Sequence, residues 1–406
     1  MSSRRLLRLV AKPGVLTALA FALSGAAFVA ANLLLARELP VEQFALIALL
    51  VSIVNVAIVA APLGIDGVVA RNSVNMSRAL LRRVLLVSLG VAAIAAVYAR
   101  LTYSIDPGTI GLLIACVCAG GIATLVAAYF QAAHAFGRSL FYLRSPDFAL
   151  FIASVATLAI GARLALAPFT VMTAIFVVVG IVAWRDALRH SGPNAKDGTI
   201  NFAEAGVYLS VQLSLTLLMQ LERLLAANLL SLADLATLGV VLAVVGPPFR
   251  LLQLTAGYAL QPRLRAAASH SLRMRLLVKE VIQATAMVLV ASATLWLATP
   301  LVVRLVLHGK FTVANDVLLA ALVSGALKVY GGIAKASMTA IADNRELTYI
   351  GVISWVGVAV AIAAAAAAAG AHLGLSGVIY GVAAGWAVRV AATAYFVSRR
   401  LRQRRA

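Results

Sequence analysis

Residues 205–230 read AGVYLSVQLSLTLLMQLERLLAANLL. The run is apolar over a length that spans a hydrocarbon core, for which about 20 residues suffice. Yet it carries Glu222 and Arg223 side by side. Whether that run is a membrane helix decides the fold, and the rest of the chain answers. Of the 406 residues, 63% are apolar and 12% are charged. A soluble protein of this make-up has too little polar surface to stay dissolved. Comparable runs recur along the sequence, near 15–36, 44–64, 84–103, 109–131, 148–167, 169–184, 204–230, 235–258, 281–306, 316–340, 348–371 and 375–397. They are continuously apolar rather than alternating, which excludes barrel strands. The expectation is an all-α polytopic membrane protein with twelve spans, the sixth of them short.

The net charge of +20 suggests nucleic acid only in a soluble chain. Here the cations fall in the breaks between apolar runs, where they set topology and meet anionic headgroups. Breaks after even-numbered spans hold Arg71, Arg78, Arg82, Arg83, Arg138, Arg144, Arg185, Arg189, Arg263, Arg273 and Arg275, and the two ends add Arg4, Arg5, Arg8, Arg399, Arg400 and Arg402. Odd breaks hold only Arg37, Arg100, Arg163, Arg304 and Lys310. The asymmetry predicts cytoplasmic termini. The basic start precedes a run too long for a cleaved signal, so that run reads as the first span. Cys116 and Cys118, two apart on one helix, point to different sides and read as small hydrophobes rather than a disulfide.

The chain repeats itself. Ala31-Asn32-Leu33-Leu34 returns as Ala227-Asn228-Leu229-Leu230, an offset of 196. Ala133, Ala135, Arg138, Leu140 and Tyr142 return as Ala340, Ala342, Arg345, Leu347 and Tyr349, an offset of 207. The unit is six helices, an even number, so both halves keep one orientation. The expected division is 1–195 and 196–406, with Ser191-Gly192-Pro193-Asn194 as the turn between them.

Charges inside spans need a reason, because a basic residue at mid-membrane costs about 2.5–3.5 kcal/mol. Tyr208, Gln212, Thr216, Gln220 and Arg223 fall on one stripe of their helix. Ser324, Lys328, Gly331, Gly332, Lys335 and Thr339 share a side of the tenth span. In the eighth, Pro247 and Pro248 delete two amide donors and are expected to kink the helix; beyond them Arg250, Gln253, Gly257 and Gln261 line one side. One reading is a wet central cavity whose cations receive an anion, since arginine forks suit phosphate oxygens. The other is packing polars and end-snorkelling, which suits Arg304 and Arg389. Glu222 either neutralises a basic neighbour or binds a coupling proton or cation. Asp66 reads as a turn-orienting residue. Helices 1 and 2 offer Ser24, Asn32, Ser52 and Asn55, small polars that pack helices. Gly377, Gly381 and Gly385 read as a contact ridge.

The five histidines show no metal-ligand spacing. No phosphate-cradling G-x-x-x-x-G-K-[ST] loop and no nucleophile elbow occur. No break is long enough for the catalytic loop of a membrane glycosyltransferase or polymerase, a reading from another class. No catalytic residue and no cofactor are assigned.

Four stretches carry a family resemblance: LLARELPVEQFALIALLVSIVNVAIVAAPLGIDGVVAR at 34–71, ERLLAANLLSLADLATLGVV at 222–241, LQPRLRAA at 260–267 and VVRLVLHGKFTVANDVLLAAL at 302–322. With them the chain resembles the Wzx-type polysaccharide biosynthesis (O-antigen) flippases of the multidrug/oligosaccharidyl-lipid/polysaccharide (MOP) exporter superfamily. The resemblance implies two six-helix bundles in a V, as in MATE-like transporters, working by alternating access in the bacterial inner membrane. It implies a polyprenyl-pyrophosphate-linked glycan as substrate, lipids and the polysaccharide polymerase and chain-length machinery as partners, and no nucleic acid. Cationic cavity roles carry over to Arg223, Arg250, Lys328 and Lys335, with Gln212, Gln220 and Gln253 beside them. Two departures stand out: Ala45 follows Phe44 where the family commonly has glycine, and Glu222 stands where aspartate is common. The scarcity of buried acids puts proton or sodium coupling in question and argues against the alternative, a cation-coupled multidrug exporter of the same superfamily.

Overall fold

A computed structural model describes residues 13–72, 74–191, 200–267, 269–341 and 344–403. Among them the secondary structure is helical throughout: α1 (Pro13–Glu38), α2 (Val41–Ala60), α3 (Ile65–Asn72), α4 (Arg78–Tyr103), α5 (Pro107–Ala132), α6 (Phe136–Ile160), α7 (Leu166–Ser191), α8 (Phe202–Leu229), α9 (Leu232–Ala266), α10 (His270–Val306), α11 (Asn315–Ile341), α12 (Asn344–Gly370) and α13 (Gly374–Gln403). All but α3 are long and apolar enough to cross a membrane, twelve spans in all. Their starts follow capping chemistry. The Ser77 hydroxyl accepts from the Leu80 amide at α4, and Asp106 accepts from the Thr109 amide at α5, where Pro107 takes the first turn. Ser231 and Asp234 close a reciprocal box at α9.

Three boundaries differ from the apolar runs. The fifth span begins at Phe136, not 148, and the sixth extends over Leu166–Ser191 instead of being short. Arg138, Arg144, Pro146 and Asp147 mask the start of α6 in any hydropathy reading. In the fold, Arg144 lies over the Phe21 ring at 3.8 Å and stands 3.7 Å from Asp147, so its charge is housed within protein. Gly161, with φ +63°, ends α6. α10 starts near 270 because its first turns are amphipathic rather than apolar, carrying Arg273, Arg275, Lys279 and Glu280. A further difference is α3 itself, cut from α2 by a turn at Ala61–Gly64 where Leu63 and Gly64 take positive φ. The expected turn at Gly192-Pro193-Asn194 lies outside the described residues.

The chain forms two compact units, Met1–Thr216 and Leu217–Ala406. In the first, α1 packs on α6, α5 on α2, α4 and α7, and α6 on α7. In the second, α11 packs on α9, α10 and α13, and α12 on α13. Counted by span, the second list repeats the first six spans on: second with fourth, third with fourth, fourth with sixth, fifth with sixth. Asn32 and Asn228 make the same bond, each side-chain amide donating to the carbonyl four residues back, at 2.8 and 2.9 Å. The sequence repeat is therefore a packing repeat. The glycine ridge of α13 meets α12: a Cβ at Gly381 would lie 2.4 Å from the Ala365 amide nitrogen, and one at Gly385 2.3 Å from the Gly357 carbonyl oxygen. Cys116 and Cys118 are free thiols.

Candidate functional site

The second unit gathers the intramembrane charges. Glu222, on the second half of α8, is fully buried. Its Oε1 accepts a 2.8 Å bond from the Lys328 ammonium and a short bond from the Ser324 hydroxyl, both on α11. Its Oε2 has no hydrogen-bond partner. Successive helix positions diverge by about 100°, so Arg223 leaves in another direction. It is 6% exposed and lies within electrostatic reach of Glu222 and of Arg250 on α9. Arg250 itself is exposed. The acid of α8 is thus bonded to Lys328 and Ser324 of α11, while the base beside it lies in the field of both that acid and Arg250.

Glycines let these helices close on one another. Gly325 accommodates the Phe249 ring and Gly332 the Gln253 side chain, where an added Cβ would approach to 2.3 and 2.5 Å. Gln253 is buried against α11 as a result. Gln220 is half-buried, as are Pro247 and Pro248, and α9 runs through both prolines without a break.

A second cationic pair sits between α11 and α13. Arg389 is 2% exposed; its Nε donates to the Ser354 hydroxyl at 3.0 Å, and its guanidinium stands 5.5 Å from the Trp386 ring centre. Its Nη1 has no hydrogen-bond partner. Lys335 is half-buried and lies within electrostatic reach of it. End-snorkelling, expected for Arg389 from its place in the sequence, is thus corrected: α13 continues to Gln403, which leaves Arg389 deep within the helix. Ser354 and Trp386, absent from the sequence reading, orient it. Arg304, by contrast, is exposed near the end of α10, as snorkelling requires.

Gln212 belongs elsewhere. It lies in the first half of α8, within the first unit, and bonds the Asp66 carboxyl of α3. Tyr208, one turn earlier, accepts from Arg71 at 3.1 Å. The stripe read along α8 therefore serves two environments, one around α3 and one around α11. The serines of helices 1 and 2 bond their own backbone: Ser24 to the Phe21 carbonyl and Ser52 to the Ala48 carbonyl. They pack rather than bind.

Chemically, the second unit offers five cations, Arg223, Arg250, Lys328, Lys335 and Arg389, against one buried carboxylate among the described residues, already bonded twice. Such a surplus is unfavourable in hydrocarbon unless an anion or water meets it.

No protein-family model matches the chain, and no curated protein matches it. Solved structures do. One is an inward-facing multidrug resistance MATE family transporter of the MOP superfamily: TM-score 0.62, 14% identity, 93% of this chain and 95% of that one covered. Another is the lipid II flippase MurJ in an inward closed conformation: TM-score 0.68, 11% identity, 95% and 87% covered. At these identities the likeness is one of fold, over nearly the whole length.

Proposed function

We propose that this chain is a flippase for a polyprenyl-pyrophosphate-linked oligosaccharide, moving it from the cytoplasmic to the periplasmic leaflet for cell-surface polysaccharide synthesis. The observation that carries the reading is Arg223, buried in a membrane helix within electrostatic reach of Arg250, in a unit whose buried cations outnumber the one buried acid among the described residues, Glu222. Two guanidiniums in reach of one another suit the two phosphates of a pyrophosphate, each fork donating to two oxygens. Gln220 and Gln253 present amides suited to sugar hydroxyls, and Lys335 with Arg389 extends the cationic surface. Pro247 and Pro248 remove two backbone donors from α9, and the helix bends there between inward-open and outward-open states. The chain resides in the bacterial inner membrane with cytoplasmic termini, its halves 1–195 and 196–406 working as the two bundles, in company with the polymerase and chain-length machinery.

The fold likeness to a MATE transporter favours a second reading, a cation-coupled multidrug exporter, in which the buried Glu222 carries the coupling ion. The two readings separate experimentally. Purified protein in liposomes is given a fluorescent polyprenyl-pyrophosphate sugar, and its transfer between leaflets is timed. The Arg223→Ala/Arg250→Ala double variant is expected to bind and flip this lipid at least about tenfold more slowly, as loss of roughly 1.4 kcal/mol or more of phosphate binding requires, while keeping the parent's melting temperature. Unchanged flipping in the double variant overturns the site. Export of cationic dyes by the parent, with no lipid flipping, selects the second reading.

A further inference from the structure

The first unit buries an acid that the proposed substrate site does not use. Asp66 on α3 is 6% exposed, and its Oδ1 has no hydrogen-bond partner. The carboxyl faces the Gly67 amide and the side chain of Gln212 on α8. Around it the first half of α8 lies on α3 with almost no clearance. A Cβ at Gly64 would stand 2.0 Å from the Ala205 carbonyl oxygen, and one at Gly67 2.5 Å from the Tyr208 ring. Such contact leaves no room for water to solvate a charge.

The other charged groups at this contact satisfy one another. Arg71 donates to the Tyr208 hydroxyl at 3.1 Å and stands 3.5 Å from Glu204, which also accepts from Asn72 at 3.4 Å. α5, packed on the other side of α3, brings Ile122, Leu125, Val126 and Phe130, with Tyr129 its titratable group beside them. The arginines that follow on α4, Arg78, Arg82 and Arg83, are exposed. Among the described residues no cation pairs with Asp66. Burial accordingly pushes its carboxyl up from 3.8 to about 6, against the weaker pull of the Gly67 amide and Gln212.

We propose that Asp66 is a proton-binding site whose occupancy holds the first half of α8, residues 202–216, docked on α3. The proton comes from water. It goes onto Oδ1, the oxygen without a hydrogen-bond partner, and the bonds that the Gly67 amide and Gln212 donate to the carboxyl are kept. Loss of the proton leaves a charge that no cation neutralises in a dry contact, its two amide donors too weak to offset the burial, and residues 202–216 lift from α3 to let water reach it. This does not rest on the anionic-lipid reading of the second unit. The docked carboxyl titrates near 6 and the undocked one at its ordinary 3.8. Docking is therefore strongest below the lower value, falls about tenfold per pH unit between the two, and levels off above the higher.

Hydrogen exchange on the full chain in lipid nanodiscs, corrected for the intrinsic pH dependence of amide exchange, tests this from about pH 4.5 to about pH 7.5, bracketing the upper part of that window. In the parent, amides of 202–216 are expected to lose protection steeply up to about pH 6 and then level off. Asp66→Asn, always neutral, should stay protected at every pH. Glu204→Gln should keep the parent's slope, because Glu204 is not the switch. A flat parent profile, or a slope that survives in Asp66→Asn, overturns the proposal. Should Asp66→Asn fail to fold, infrared spectra of the parent with isotope-labelled aspartate decide. A protonated-carboxyl band that bleaches in step with the loss of protection supports the site, and a band absent or out of step refutes it.

Discussion

α1 and the second half of α8 occupy equivalent places in the repeat, yet their interiors differ. At the 196-residue offset, Glu222 and Arg223 correspond to Ala26 and Ala27. Six residues on, Asn32 and Asn228 make the same backbone bond. The scaffold residue is thus kept in both halves while the charges are confined to one. α1 carries only small polars, and Ser24 bonds its own helix. α8 carries an acid that bonds α11 and a buried base within electrostatic reach of Arg250 on α9. Two copies of one packing plan have divided the work: in the spans of the first half small polars settle on backbone carbonyls and the buried Arg144 has Asp147 beside it, while the second half holds a surplus of cation.

The comparison can be broken most decisively at Glu222. Glu222→Ala strands the Lys328 ammonium in a largely buried place, and removing one partner of such a pair costs about 3–5 kcal/mol. Thermal melting in detergent should show that loss. The double variant Glu222→Met/Lys328→Met should recover most of it, because well-packed apolar residues replace buried ion pairs at little net cost. Equal melting of the single and double variants would mean the pair is not what holds α8 to α11. A smaller effect sharpens the packing side. Gly385→Leu must displace the Gly357 carbonyl and is expected to cost about 1–3 kcal/mol, whereas Gly90→Leu on α4, where a Cβ meets nothing within 4 Å, should melt like the parent. The finest test concerns the shared residue. Asn32→Ala and Asn228→Ala each lose one side-chain bond to a carbonyl, about 1 kcal/mol. Their losses should agree, and a clear inequality would show that the repeat is one of sequence only.

Much of this architecture was legible in apolar run lengths, since a span is recognised by what it lacks. The same logic hid the start of α6, where Arg144 and Asp147 are housed by Phe21 and by each other. Such housing depends on a partner more than a hundred positions away, and no local window contains it. It also hid α3, eight residues long and not apolar enough to declare itself as a run. The charges of the second unit were visible, but their destinations were not. Nothing in the spacing links Glu222 to Ser324 and Lys328. Arg389 reads as a terminal residue only if α13 stops where its apolar run does. Asp66 was read as orienting a turn, and it does stand where α3 begins; the burial that makes it titratable comes from Gln212 and its neighbours on α8.

The seam between α12 and α13 sets a mechanical rule. Where Gly385 meets the Gly357 carbonyl and Gly381 the Ala365 backbone, main chain touches main chain with no side chain to act as a bearing. Sliding one helix along the other would drive the neighbouring alanines into that gap. Whatever motion the second unit performs, these two helices travel as a single beam, and the Arg389 guanidinium, braced on Ser354 of one and Trp386 of the other, rides on it without changing its aim.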